Sequence, residues 1–131
     1  MDFDKAVAEI ARELPQVEAI YVFGSAAREQ MNAESDVDLA VLCPTRLGPQ
    51  QRWELQAKLA TLLGRDVDLV DMHAATTVMQ VQVLAEGRVL LDAKPSTRAL
   101  FEARTLSDYA DLNERRAGIL ADIKERGTVY G

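Results

Sequence analysis

Apolar positions in the first 14 residues recur with a helical period. In "DKAVAEIAREL" the side chains Val7, Ile10, Ala11 and Leu14 share one face, and Pro15 follows where a helix must stop, predicting a helix over residues 4–14. The next run, "VEAIYVF" at residues 17–23, is β-branched and aromatic and ends at Gly24, the pattern of a strand entering a turn. Ser25 then offers a cap to good helix formers, so residues 25–31 read as a short helix. After the polar "NAES", the segment "DVDLAVL" at residues 36–42 predicts a second strand, closed by Cys43 and Pro44. "LGPQQRWELQAKLATLLG" carries Pro49 near a first turn, Gly64 as a C-terminal stop, and Trp53, Leu59, Ala60 and Leu63 as the inner face of a helix.

"DVDLVDM", residues 66–72, predicts a third strand, and "RVLLD", residues 88–92, a fourth after Gly87. Between them, residues 75–86 contain "VMQVQVL", which fits an alternating strand nearly as well as a helix; we take it as a helix. From Pro95 to Arg126 the apolar stripe Leu100, Tyr109, Leu112, Leu120 and Ile123 predicts one long amphipathic helix, or two broken near Gly118. No repeat or linker interrupts the chain. The expectation is a single domain over residues 1–131 of class α/β (α+β): a small mixed sheet of about four strands flanked by helices, with a core over about 1–92 and a long C-terminal helical extension over about 95–126.

Composition narrows what such a domain does. With 131 residues there is room for one modest core and no second catalytic domain of ordinary size. The formal net charge of −6 is spread along the chain, which argues against direct nucleic-acid binding, because Lys and Arg supply most non-specific affinity for phosphate backbones. A basic protein partner, or a nucleotide carried in with metal ions, suits it better. Cys43, the one cysteine, has no internal partner; no secretory leader opens the chain, and no apolar run approaches the roughly 20 residues of a membrane span, so a cytoplasmic protein is expected.

Two aspartates interrupt the second strand. Side chains two apart in a strand point the same way, so Asp36 and Asp38 share a face and repel unless a cation lies between them. Hard oxygen ligands of this kind suit Mg²⁺, which takes one or two carboxylates and completes its shell with water and substrate phosphates. Gly24 and Ser25 lie at the strand-to-helix turn, where free N–H groups favour an anion and a glycine allows close approach of phosphate to backbone. A nucleoside triphosphate bridging both features is the natural ligand. "RDVDLVD" offers a third carboxylate: Asp66 and Asp68 face one way and Asp71 the other, with Asp68 placed deep enough to reach the metals.

Gly24-Ser25, ten residues, then Asp36-Val37-Asp38 resembles the G-S-x10-D-x-D signature of the DNA polymerase β-like nucleotidyltransferases. The short length resembles their minimal branch, the MNT antitoxins of HEPN–MNT toxin–antitoxin pairs. The resemblance covers residues 17 to about 92 well and the last helix loosely. It implies a nucleotidyltransferase-like fold, Gly24 and Ser25 on the triphosphate, two Mg²⁺ ions held by Asp36 and Asp38 with Asp68 as the third catalytic carboxylate, and Arg28 near the phosphates. It also implies an activity: transfer of AMP from ATP to a hydroxyl, a tyrosine, of a partner HEPN ribonuclease, which is thereby silenced. The second glycine that often follows the Gly-Ser pair is Glu29 here, so the loop before the second strand is expected to differ in shape.

Two rivals stand beside that reading. A small-molecule nucleotidyltransferase, of the aminoglycoside-modifying kind, usually carries an extra helical domain for its acceptor, for which this chain has little room. A non-catalytic antitoxin that works by steric binding would have no use for intact aspartates. Among the remaining residues, His73 reads first as a loop residue, Cys43 as a small strand-end residue, Trp53 as core, and Tyr109 as part of the buried stripe.

Overall fold

The computed structural model describes residues 2–28 and 36–126. The elements run α1 (Asp4–Glu13), β1 (Ala19–Phe23), α2 (Gly24–Ala27), β2 (Val37–Leu42), α3 (Pro49–Leu63), β3 (Val67–Asp71), α4 (Thr77–Glu86), β4 (Arg88–Asp92) and α5 (Pro95–Arg126). The four strands form one sheet in the order β3-β2-β1-β4. β1 is antiparallel to both β2 and β4, and β2 is parallel to β3, the α3 crossover supplying the long connection a parallel pair needs.

Alternation along the strands divides the core in two. Ile20 and Val22, Val37, Leu39 and Val41, and Val67 and Leu69 point to one face, where Ala6 and Ile10 of α1 and Leu55 and Leu59 of α3 cover them. On the other face Ala19, Tyr21, Phe23, Ala40 and Leu42 meet Met72 and Val83, with Phe101 of α5 at the fringe. Each fully buried Ile or Leu contributes roughly 1.5–3 kcal/mol.

Local chemistry sets the helix ends. α1 carries Asp4 in its first turn and Arg12 in its last, matching the helix dipole, and stops before Pro15. α3 begins at Pro49 and ends at Gly64, which takes the left-handed conformation (φ 65°) and donates its N–H to the Ala60 carbonyl. α4, the segment for which strand and helix competed, is a helix capped by Thr76, whose hydroxyl accepts from the Met79 N–H at 3.2 Å. That cap, and the turn before it, decide a case the apolar pattern leaves even.

β3 is an edge strand, and its outer edge is closed by side chains. The Leu69 N–H donates to Gln56 Oε1 at 2.9 Å and the Leu69 carbonyl accepts from Arg52 Nη1 at 3.1 Å, both from α3. The start of α5 is tied to the sheet by Arg98, which binds both oxygens of Asp92 at 2.9 and 3.0 Å and Glu102 Oε2 at 2.6 Å. The buried Tyr21 hydroxyl donates to the same Glu102 oxygen at 3.1 Å. Burial first, then the Glu102 charge, pushes the Tyr21 phenol up.

Three expectations need correction. Trp53 is 59 % exposed: the inner face of α3 is Leu55 and Leu59, and Trp53 lies on its outer flank. Of the two alternatives for residues 95–126, the single unbroken helix is the one observed, with Gly118 inside it. Along that helix the packed stripe is Phe101, Thr105, Tyr109 and Leu112, whereas Leu100 and Leu120 are each 65 % exposed. The helix expected over residues 25–31 is seen as Gly24–Ala27 with Arg28 as its end; residues 29–31, the polar stretch 32–35 and Glu29 with them lie outside the described residues.

Candidate active site

The antiparallel register of β1 and β2 sets Phe23, the last residue of β1, opposite Asp38. The parallel register of β2 and β3 sets Asp68 opposite Asp38 on its other side. Phe23, Asp38 and Asp68 therefore lie side by side across three strands at one end of the sheet, and Gly24, which follows Phe23, abuts the Asp38 side chain. By strand alternation Asp38 and Asp68 point to the face of Tyr21, Ala40 and Val70. Asp36 immediately precedes β2 and is exposed, Asp38 is half-buried and Asp68 is exposed.

Gly24 has φ +67°, and a Cβ built on it would collide with Asp38 Oδ2. A glycine is required here on both counts: an L side chain is strained in that conformation and has no space. The turn therefore brings main chain against the carboxylate, with Ser25 half-buried beside it.

Electrostatics single out Asp38. Its carboxyl is raised above the usual carboxylate range, first by burial and then by the charges of Asp68, Asp36 and Glu86. Three further carboxylates thus act on one half-buried group. Among the described residues no three His, Cys, Asp or Glu side chains close into a ready-made metal cage. The donors on this face are carboxylates, one half-buried and two exposed, the hard oxygen chemistry that suits a cation taking few protein ligands and keeping water and phosphate.

The other acidic and candidate residues separate cleanly. Asp66 is exposed and sits one position before β3. Asp71 is buried and spent on structure: its Oδ2 accepts from the Leu47 N–H at 2.8 Å and its Oδ1 from the His73 N–H at 3.0 Å, tying two loops together. The His73 ring makes an edge-on contact with Phe101, centroids 5.5 Å apart. Cys43 is buried and its thiol is pushed up to about 11 by burial, Asp71 and Glu18, which makes it a poor nucleophile.

Glu86 is the member that sequence reasoning missed. It ends α4, 48 positions beyond Asp38, and pairs with the Arg28 guanidinium at 3.7 Å. Nothing in the spacing of "LAEGRV" signals that, because only the packing of α4 on the sheet brings its last turn to the end of β1.

Residues 5–96 match the polymerase beta nucleotidyltransferase family. The chain belongs to that family. It is similar to the protein adenylyltransferase MntA of Shewanella oneidensis, 37 % identical over 120 residues that make up 92 % of this chain and 86 % of the relative. A crystal structure of a toxin–antitoxin with AMP-PNP superposes with a TM-score of 0.85 at 35 % identity, covering 95 % of this chain and 99 % of that one. A tri-AMPylated Shewanella oneidensis HEPN toxin in complex with its MNT antitoxin gives a TM-score of 0.77 at 36 % identity, covering 92 % of this chain. The similarity therefore extends through most of α5, beyond the residues matched by the family.

Proposed function

We propose that the chain is a Mg²⁺-dependent protein adenylyltransferase that acts as an antitoxin, moving AMP from ATP to a tyrosine hydroxyl of a HEPN-family toxin. The observation that carries this reading is the register that sets Asp38 between Phe23 and Asp68, with Gly24 in a close-approach turn against the Asp38 carboxylate. A MntA-type relative at 37 % identity and the neighbouring toxin–antitoxin complexes supply the substrate and the partner.

In this reading Gly24 and Ser25 receive the triphosphate through main-chain N–H groups and a hydroxyl, and Asp36, Asp38 and Asp68 are the ligands for two Mg²⁺ ions. Bound there, such ions would neutralise the charge gathered on the attacking and leaving oxygens. Asp68 orients the acceptor hydroxyl and takes its proton. As the bond from the acceptor oxygen to the α-phosphorus forms, the bond from that phosphorus to the bridging oxygen breaks, and pyrophosphate leaves with the electron pair. Arg28, which pairs with Glu86 at 3.7 Å in the same corner, would contact the phosphates. Positioning and charge stabilisation provide the rate.

The residues before about 92 carry the chemistry and the extension over about 95–126 serves docking. Beyond Leu112 the face of α5 that packs on the body continues as Ile119, Leu120 and Ile123, and Ile119 and Leu120 are 60 % and 65 % exposed. No described helix is long and apolar enough to cross a membrane. We place the protein in the cytoplasm, where ATP is available and a lone buried thiol stays reduced.

Intact-mass measurement of the toxin after incubation with this protein and MgATP tests the reading. Added AMP is expected with the wild type and none with an Asp36→Asn/Asp38→Asn variant. An unmodified toxin that both proteins silence equally would refute transfer in favour of steric neutralisation.

A further inference from the structure

On the outer side of Asp68 lies a shallow, wide-open groove of about 380 Å³, lined by Arg52, Asp68, Val70, Ala75, Thr76 and Met79 among others. Asp68 is shared between the groove and the carboxylate cluster. The rest of the groove belongs to the edge of β3, the turn that follows it and the first turn of α4.

Transfer chemistry restricts which side of the site an acceptor can use. The attacking and leaving oxygens of a phosphoryl-type transfer lie roughly in line on opposite sides of the phosphorus. Gly24 and Ser25 follow β1, on one side of Asp38, and Asp68 stands on the other, because β2 lies between β1 and β3. A triphosphate with its leaving end at Gly24 leaves the acceptor the β3 side. That side is where the groove opens.

We infer that the acceptor segment of the toxin crosses the outer edge of β3 and seats its tyrosine ring in this groove, with the hydroxyl directed at Asp68. The inference rests on the adenylyltransferase reading above and adds the acceptor's place. The floor suits an aromatic ring: Val70 and Met79 are half-buried at the fringe of the second core cluster, while Arg52 and Thr76 give the walls polar groups. The segment arrives by side chain and not as an added strand, since the outward N–H and carbonyl of Leu69 are already bonded to Gln56 and Arg52.

Steady-state transfer of AMP to the HEPN toxin, with wild-type protein and with Ala75→Trp and Ala74→Trp variants of confirmed melting behaviour, tests this placement. Both alanines line the groove, and Ala74 is exposed, so a bulky residue there is tolerated by the fold. The expected result is a KM for toxin raised about tenfold or more with the KM for ATP within about twofold of wild type. A toxin KM that stays within about twofold of wild type in both variants overturns the placement. So does a parallel rise in the KM for ATP, which would assign the groove to the nucleotide. Absence of transfer by the wild type itself is a different result: it removes the adenylyltransferase reading.

Discussion

The sheet face under α1 and α3 is apolar from end to end, with Ile20, Val22, Leu39, Val41 and Leu69 all buried. The face under α4 is apolar only as far as Phe23 and Ala40, and then gives way to Asp38 and Asp68. The same three strands build both faces by alternation, so the difference is one of use. The closed face supplies the packing that holds the strands in register. The open face gathers carboxylates instead, and burial together with their repulsion raises the Asp38 carboxyl.

The sharpest way to break that contrast is to damage the closed face. Leu59→Ala removes a fully buried side chain of α3 and is expected to cost about 2–5 kcal/mol of unfolding free energy, read by urea denaturation. At temperatures where the variant stays folded, its KM for ATP should not change. A large rise in that KM would mean that the two faces are not separable.

Gly24→Ala strikes the join between turn and carboxylate. The left-handed conformation costs an L residue about 1–2 kcal/mol, and the new Cβ displaces the Asp38 carboxylate. Calorimetry should show the stability loss, and AMP transfer should fall further than that loss explains. Equal activity at equal folded fraction would show that the close approach has no catalytic use.

The smallest effect carries the opposite sign. Because the Asp38 carboxyl is raised in the folded state, the native chain holds more protons than the unfolded one between the two values. Its contribution to stability is therefore lost as pH rises through that window. Asp38→Asn should melt higher than the wild type in metal-free buffer at neutral pH, while being inactive. That advantage should shrink as pH falls into the carboxylate range, where wild-type Asp38 is also neutral. An advantage independent of pH would place its cause in packing and not in charge.

Much of this was legible along the chain because its signals are local. The periods of two and 3.6 residues placed the four strands and the helices α1, α3 and α5, left α4 even between helix and strand, and the Gly-Ser turn ten residues ahead of the paired aspartates marked the candidate site. Trp53 was misread because helical spacing identifies a face only when its neighbours agree, and α3 has a weakly amphipathic sequence in which Leu62 and Trp53 are both exposed. The stripe of α5 was drawn through Leu100 and Leu120 for a related reason: the helix outruns the body it packs on, so apolar positions there have no surface of this chain to meet.

By itself the sequence determined that Asp38 lies in a strand, that Gly24 opens a turn, and that the C-terminal segment is helical, since each follows from neighbours along the backbone. Only the tertiary structure decided which strand stands beside Asp38. The parallel register that sets Asp68 against it, the burial that spends Asp71 on two loops, and the α4 packing that brings Glu86 to Arg28 all join residues far apart in the chain. Such contacts are chosen by which apolar faces can be buried together, a property of the whole core and of no single stretch of it.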